Sequence, residues 1–279
     1  MQVAVVDYRS PDAPRQFAES LRELGFAVLT NHPLNQKFVD DAYNEWEAFF
    51  AGQDKVNYAF DTKEHDGFVS TVLSETAKGN DKKDLKEFFH YYPWGRCPDY
   101  LRPTTQRLYE GLEKLSAELL FWIQDHMPAD IQNQLSIPLG EMIQDSPRTL
   151  FRPIHYPPLR GDEQPGAMRA AAHEDIDLLT LLVAATEKGL QVKNKQGEWL
   201  DVPTRKDWII VNTGDMLAEC TQGFYKATTH RVKNPEGEAA KKSRLSMPIF
   251  LHPREDVVLS KRHTAGSYRA ERFKELGLL

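Results

Sequence analysis

The chain has 279 residues, of which 41% are hydrophobic and 27% are charged, and its formal net charge at pH 7 is −6. This composition favours one large globular domain, and the mild acidity without a long basic run argues against nucleic acid as the main partner. No apolar run is long enough to cross a bilayer, no secretory-signal pattern opens the chain, and Cys97 and Cys220 make no disulfide framework, so we expect a cytoplasmic protein.

The first fifty residues alternate between short strands and amphipathic helices. Gln2 to Asp7 and Phe26 to Leu29 are predicted strands. Between them, apolar residues recur at helical spacing, with Ser10 as the expected N-cap and Gly25 suited to the helix end. A second amphipathic helix is predicted over Phe38 to Phe50.

Residues 52–103 are predicted to be irregular, because they are rich in charge, glycine and proline. A connection this long inside a domain is usually functional or mobile. Its aromatic residues could cap a pocket, or they could pack the helices onto the rest of the fold. They are Tyr58, Phe60, Phe68, Phe88, Phe89, Tyr91, Tyr92 and Trp94. The longest helical pattern follows, over Gln106 to His126.

From Thr149 onward the pattern changes to short β-rich runs separated by turn signals. Lys195-Gln196-Gly197 marks a hairpin between two of these runs, with glycine placed for a left-handed turn. Such spacing predicts a mainly β fold with added α-helices, in which the N-terminal helices pack outside a double-sheet jelly roll. The predicted strands are Leu178 to Ala184, Leu190 to Asn194, Glu198 to Val202, Trp208 to Asn212, Lys226 to Val232 and Arg244 to Leu251.

Two histidines and an aspartate stand out within this β-rich half. His173 and Asp175 are separated by one residue, so in a strand they would point to the same face while Glu174 points away. His230 lies in a β-branched run that could supply a third ligand from a neighbouring strand. Two imidazoles and one carboxylate are the facial triad of non-haem iron(II) enzymes, although zinc accepts the same donors.

An arginine and a serine follow fourteen residues after the second histidine. Arg244 and Ser246 are again two apart, so they share one strand face, whereas Leu245, Met247 and Ile249 face the other way. A guanidinium forks onto a carboxylate with two hydrogen bonds, and a hydroxyl can add a third donor. This pair favours an iron enzyme that binds an organic acid beside its metal over a zinc hydrolase, which has no general need for such a clamp.

The segment from His173 to Ser246 resembles the iron(II)- and 2-oxoglutarate-dependent dioxygenases, in their isopenicillin N synthase-like branch. The resemblance extends upstream to FRPIHYPPL and DLKEFFHYYPWG, and downstream to the C-terminal TAGSYRAERFKELGLL. It implies a double-stranded β-helix. The matching iron ligands are His173, Asp175 and His230, and the residues that match those holding the distal carboxylate of 2-oxoglutarate are Arg244, Ser246 and Tyr156.

The chain departs from the family pattern at Ile154, where many members carry asparagine two residues before the tyrosine. Arg152 and His155 are the neighbouring groups that could take over the role of that asparagine.

The resemblance implies Fe(II), 2-oxoglutarate and molecular oxygen as cofactor and cosubstrates, and a small molecule as substrate. The expected organisation is one domain over 1–279, with a mainly helical region at 1–142, the jelly-roll core at 143–260 and a C-terminal helical tail at 261–279. Three alternatives remain at this point: an iron oxidase of the same branch that needs no 2-oxoglutarate, a zinc-dependent hydrolase on a cupin-like barrel, and a catalytically silent binding protein. The substrate and the oligomeric state are left open.

Overall fold

Two β-sheets and a layer of helices make up residues 2–74, 82–183 and 185–275, which are the residues that the computed structural model describes. The helices are α1 (Ala13–Leu24), α2 (Gln36–Ala51), α3 (Arg102–Asp125), α4 (Ala129–Gln132), α5 (Leu139–Met142), α6 (Asp215–Cys220) and α7 (Ala265–Glu275). Two 3-10 turns lie at Asp54–Tyr58 and Gly237–Lys241.

The strands of the first half of the chain are β1 (Ala4–Asp7), β2 (Phe26–Thr30), β3 (Gly67–Val69) and β4 (Glu87–His90). Those of the second half are β5 (Leu150–Phe151), β6 (Ile154–Tyr156), β7 (Ala170–His173), β8 (Leu179–Val183), β9 (Leu190–Lys193), β10 (Trp199–Asp201), β11 (Ile209–Thr213), β12 (His230–Val232) and β13 (Arg244–Leu251).

The larger sheet has nine strands in the order β1-β2-β11-β8-β13-β6-β4-β3, with β5 paired to β13. The smaller sheet has the order β10-β9-β12-β7. One buried cluster contains apolar residues of both sheets, so the two sheets face each other across a shared interior. This is the jelly roll that the strand spacing predicted.

The other face of the larger sheet packs against the helices. Leu245, Met247 and Ile249 of β13 belong to a second apolar cluster that includes side chains of α1, α2 and α3. The prediction that these three residues share one face is therefore confirmed. Because successive side chains of a strand point to opposite faces, the helix layer and the barrel interior are separated at β13 by the thickness of a single strand.

The first helix begins later than predicted and ends where predicted. It starts at Ala13 after Asp12, so Ser10 is not its N-cap. Gly25 closes the helix in the left-handed conformation, at φ 72°, with its N–H donating to the Leu21 carbonyl. A Cβ at this position would lie 2.1 Å from Oγ1 of Thr228, so the close approach of two segments also requires glycine.

The segment predicted to be irregular contributes strands β3 and β4, which extend the larger sheet beyond β6. In β4, Phe88 belongs to the barrel interior and Phe89 to the helix-facing cluster. A strand that is buried on both faces shows no apolar–polar alternation, which is why the sequence pattern missed it. Residues 75–81 of this segment lie outside the described part of the chain.

The division of the chain into a helical region and a jelly-roll core at residue 142 remains a prediction. The structure shows that strands from both sides of this boundary share one sheet. Residues 1–142 contain most of the helices, but four of their strands join the same sheet as the strands of the second half. The predicted C-terminal tail contains α7, while residues 276–279 lie outside the description. Among the described residues, no helix is both long and apolar enough to cross a membrane.

Candidate metal centre

The structure brings His173, Asp175 and His230 together inside the barrel. One ligand atom from each residue lies within 4.8 Å of the other two. His173 ends β7 and is directly opposite His230 on the neighbouring strand β12. The Nε2 atom of each histidine lies 3.8 Å from a carboxylate oxygen of Asp175. Strand pairing therefore places the two imidazoles side by side, with the carboxylate within reach of both.

Both imidazoles are held with Nε2 free to bind a metal. Nδ1 of His173 lies 2.7 Å from the Ala171 carbonyl, and Nδ1 of His230 lies 3.0 Å from the Thr228 carbonyl. Because a carbonyl only accepts hydrogen bonds, each Nδ1 carries the proton and each Nε2 presents its lone pair. Thr228 lies outside β12, because the strand predicted over Lys226 to Val232 is confined to its last three residues.

The protonation state of His173 also suits a ligand. About a third of its side chain, 35%, is exposed, while the rest is covered by its surroundings. Burial lowers the pKa of His173 to about 4, and the neighbouring His230 adds to this effect. The imidazole of His173 is therefore neutral at neutral pH, as a metal ligand must be.

Asp175 reaches the site for a reason other than the one the sequence suggested. Strand β7 ends at His173, so strand alternation does not orient the Asp175 carboxylate. Instead, the Thr180 hydroxyl and the Asn212 amide donate to Oδ2 of Asp175 at 2.7 and 2.8 Å. Glu174 points away as predicted and accepts a hydrogen bond from Thr229.

The carboxyl group of Asp175 is buried but stays ionised. Burial raises its pKa, but the two imidazoles and the hydrogen bonds from Thr180 and Asn212 outweigh that effect, so the pKa is lowered. Sequence reasoning missed Thr180 and Asn212. The available signal was their polarity within otherwise apolar strands, LTLLV and IIVNT.

Two imidazole nitrogens and one carboxylate form a donor set that fits iron(II) with coordination positions left open. Within the three described ranges, this is the one group of histidine, cysteine or acidic side chains with metal-binding spacing. The remaining histidines therefore carry no metal-site prediction.

Arg244 and Ser246 lie on the interior face of β13, where they are 2% and 3% exposed. Tyr156 is directly opposite Arg244 on β6, and its ring lies 5.0 Å from the guanidinium carbon. Nε of Arg244 donates to the Glu187 carbonyl at 3.0 Å, but its Nη1 is buried without a hydrogen-bond partner. A buried guanidinium N–H without an acceptor fits a site for an anionic ligand group.

Besides the histidine–aspartate cluster and Arg244, the barrel interior contains aromatic rings and a further cation, Arg152. The guanidinium carbon of Arg152 lies 4.8 Å from the Phe88 ring centre and 5.2 Å from that of Phe250. Ile154 lies beside Phe88 on the same face. His155 is directed towards the helices, because its Nδ1 contacts Glu87 at 2.9 Å and its ring stacks on Phe50.

Several aromatic residues of the 52–103 segment pack the helices onto the fold, as one of the two predictions had it, while the role as a cap over a pocket stays a prediction. Phe88 lines the interior, whereas Phe68, Phe89 and Tyr91 pack against the helices.

Comparisons with known proteins agree with this geometry. Residues 147–253 match the sequence model of the 2OG-Fe(II) oxygenase superfamily, and residues 4–109 match that of the N-terminal region of "non-haem dioxygenase in morphine synthesis". A solved structure from Shewanella oneidensis, provisionally described as an oxygenase, is 50% identical, with a TM-score of 0.91 and coverage of 100% of both chains.

Two further similarities are more distant. The 2-oxoglutarate-dependent dioxygenase citB of Monascus ruber is 37% identical over 97 residues, which cover 34% of this chain and 30% of the length of that relative. A full-length Neurospora crassa protein, solved in complex with alpha-KG and thymine, is 21% identical, with a TM-score of 0.81 and coverage of 98% of this chain and 96% of that one. At this identity, the second similarity is evidence of a shared fold.

Proposed function

Because this chain belongs to the 2OG-Fe(II) oxygenase superfamily, we propose that it is a non-haem iron(II) dioxygenase that couples 2-oxoglutarate decarboxylation to the oxidation of a small molecule. The isopenicillin N synthase-like branch is consistent with the two sequence matches. The observation that carries the proposal is the cluster of His173, Asp175 and His230, which shares one interior with Arg244.

In this proposal, His173, Asp175 and His230 hold the iron, and Arg244, Ser246 and Tyr156 hold the distal carboxylate of 2-oxoglutarate. Iron(II) and 2-oxoglutarate supply the oxygen-activating chemistry when they are bound.

The protein contributes orientation and charge. Carbonyl groups fix the tautomer of both histidines, and the donors from Thr180 and Asn212 keep the Asp175 carboxylate ionised and aimed at the metal. Arg244 supplies a buried positive charge on the interior face of β13, away from bulk water.

The proposed substrate is a small molecule that lies against Phe88 and Phe250. The cationic group of Arg152 between these rings makes small organic acids the first compounds to test. The net charge of −6 supports a small molecule over nucleic acid. A cytoplasmic location and a single domain over 1–279 belong to the same proposal. The location is supported by two free, buried thiols, and the single domain by the sheet shared between both halves.

Anaerobic titration of the iron(II)-loaded protein with 2-oxoglutarate tests the proposal. We expect a weak visible charge-transfer band, with an affinity that falls about tenfold or more in Arg244→Ala, because a buried charge-assisted hydrogen bond is lost. The Glu174→Ala variant is the matched control. Its side chain lies between two proposed ligands in sequence but points away, so it should keep the band.

The same preparation separates the alternatives. Full occupancy by zinc and no band in the wild-type protein would contradict the dioxygenase and favour the hydrolase. Iron binding with oxygen consumption but without succinate release would favour an oxidase that needs no 2-oxoglutarate. The His173→Ala variant should release no succinate, and unchanged release would rule out this cluster as the iron site.

A further inference from the structure

A second arginine is buried close to Arg244 and has no role in the function proposed above. Arg169 lies directly before β7 and is 1% exposed, which makes it one of the largest fully buried side chains. Its Nη2 donates to the Lys242 carbonyl at 2.7 Å, two residues before Arg244. Its Nε, like Nη1 of Arg244, is buried without a hydrogen-bond partner. Such orphaned donors on a buried cation are costly and need an explanation.

The surroundings of Arg169 increase this cost. Burial lowers the pKa of Arg169 and the positive charge of Arg244 lowers it further, while Tyr156 and Glu187 offset only part of this effect. Two guanidinium groups in a low-dielectric interior repel each other. Within the described part of the chain, the structure records only carbonyl oxygens as hydrogen-bond acceptors of the two groups, those of Lys242 and Glu187, and no ion pair for either.

An anion between the two arginines would remove both penalties at once. A carboxylate has two oxygens and about four acceptor sites, so it can accept hydrogen bonds from two guanidinium groups. The anionic group available to this site in the proposed function is the distal carboxylate of 2-oxoglutarate.

We propose that Arg169 is a second anchor for the distal carboxylate of the cosubstrate, which then lies between Arg169 and Arg244. This inference rests on the proposed function and adds a residue outside the Arg-x-Ser pair. Its consequence is selectivity: a 2-oxo acid without a distal carboxylate leaves two buried cations uncompensated and should be strongly disfavoured.

The test compares 2-oxoglutarate with 2-oxopentanoate, which has the same chain length but a methyl group in place of the distal carboxylate. Dissociation constants are measured anaerobically on the iron(II)-loaded protein from the charge-transfer band, so the readout does not depend on turnover. In Arg169→Met, we expect the affinity for 2-oxoglutarate to fall about 10- to 100-fold, because charge-assisted hydrogen bonds are lost. The affinity for 2-oxopentanoate should stay within about twofold, because that ligand never made those bonds.

Two further variants keep the experiment decisive. Arg205→Met is the matched control, because the same substitution is made at an exposed arginine. Arg169→Lys keeps the positive charge without the planar fork, so its affinity for 2-oxoglutarate should be intermediate. If Arg169→Met does not fold, the lysine variant carries the test.

The outcomes also distinguish this inference from the function on which it rests. Equal losses for both 2-oxo acids, or no loss in either Arg169 variant, would overturn the role of Arg169 while leaving the dioxygenase intact. A wild-type protein that binds iron but shows no 2-oxoglutarate band would instead remove the proposed function, and this inference with it.

Discussion

The two faces of strand β13 contrast within a single run of residues. Leu245, Met247 and Ile249 pack against helices and have no polar side-chain atoms to satisfy. Arg244 and Ser246, one residue away, face the interior, where a buried N–H of Arg244 has no partner within the protein. The helix-facing side of the sheet is complete in the protein alone, whereas in the proposed function the interior side is completed by ligands.

The two faces of the sheet contribute differently to stability and to chemistry. Apolar contacts are non-directional and scale with buried area, so the helix-facing cluster supplies folding free energy. Hydrogen bonds to buried charges are directional, so the interior residues orient the groups of the site. Because a buried donor there is left unsatisfied, the interior also lowers the free energy of unfolding. Substitutions on the two faces should therefore separate folding from metal binding.

The largest effect should come from the helix-facing side. Ile249→Ala removes a fully buried side chain of β13, which pairs with β5 and β8. We expect the free energy of unfolding to fall by about 2–5 kcal/mol, because the substitution leaves a cavity. Chemical denaturation measures this change. The metal affinity of the folded fraction should be unchanged, and a parallel loss of metal affinity would show that the two faces are not independent.

The next largest effect should come from the interior side, with the opposite pattern. Asn212→Leu removes a donor to the Asp175 carboxylate. We expect iron(II) affinity to fall by roughly 10- to 100-fold, as is typical when a group that orients a metal ligand is lost. Competition with a chelator measures it. The control is Val211→Ala, the helix-facing neighbour in β11, which should destabilise the fold and leave metal affinity unaffected.

The smallest effect should appear in the pH dependence of the free energy of unfolding, through His252. Burial lowers the pKa of His252 to about 4, against 6.5 for the ordinary group. Between these two pH values the unfolded chain binds more protons than the folded protein, so stability falls as the pH drops from 6.5 towards 4. His252→Gln should reduce the stability loss between pH 7 and pH 5 by roughly 1 kcal/mol, since the ring is partly exposed.

Denaturation of metal-free wild type and His252→Gln at both pH values measures this difference. Identical pH dependence in the two proteins would show that His252 gains its proton without cost, and hence that this part of the interior is open to water.

Much of this architecture was predictable from the chain. The alternation in Arg244 to Ile249 gave both faces of β13, and the hairpin around Gly197, at φ 83°, was predicted from turn chemistry. The sequence predicted three metal ligands because their residue types are few and their spacing is characteristic, and the structure brings these three side chains together. The jelly roll and the family assignment are confirmed.

Other features depended on contacts that leave little trace in local sequence. Strand β4 is buried on both faces and shows no alternation. Asp175 is oriented by Thr180 and by Asn212, the latter 37 residues away, rather than by the strand that precedes it. Arg169 could not be distinguished from a surface arginine, because its neighbour Arg244 is 75 positions further along the chain and only the fold brings them together.

The close approach at Gly25 determines how far the chain could be shortened without losing support for the proposed metal site. Thr228, which leaves no room for a side chain at residue 25, presents the carbonyl that fixes His230, and the Phe26 ring meets the His230 ring edge-on. Strand β2 also pairs with β11, which carries Asn212. A fragment that begins at residue 143 would keep the three proposed ligands. It would lose Phe26, which contacts His230, and strand β2, which pairs with β11. The N-terminal region therefore supports the proposed metal site from outside, and a designed fragment would have to include it.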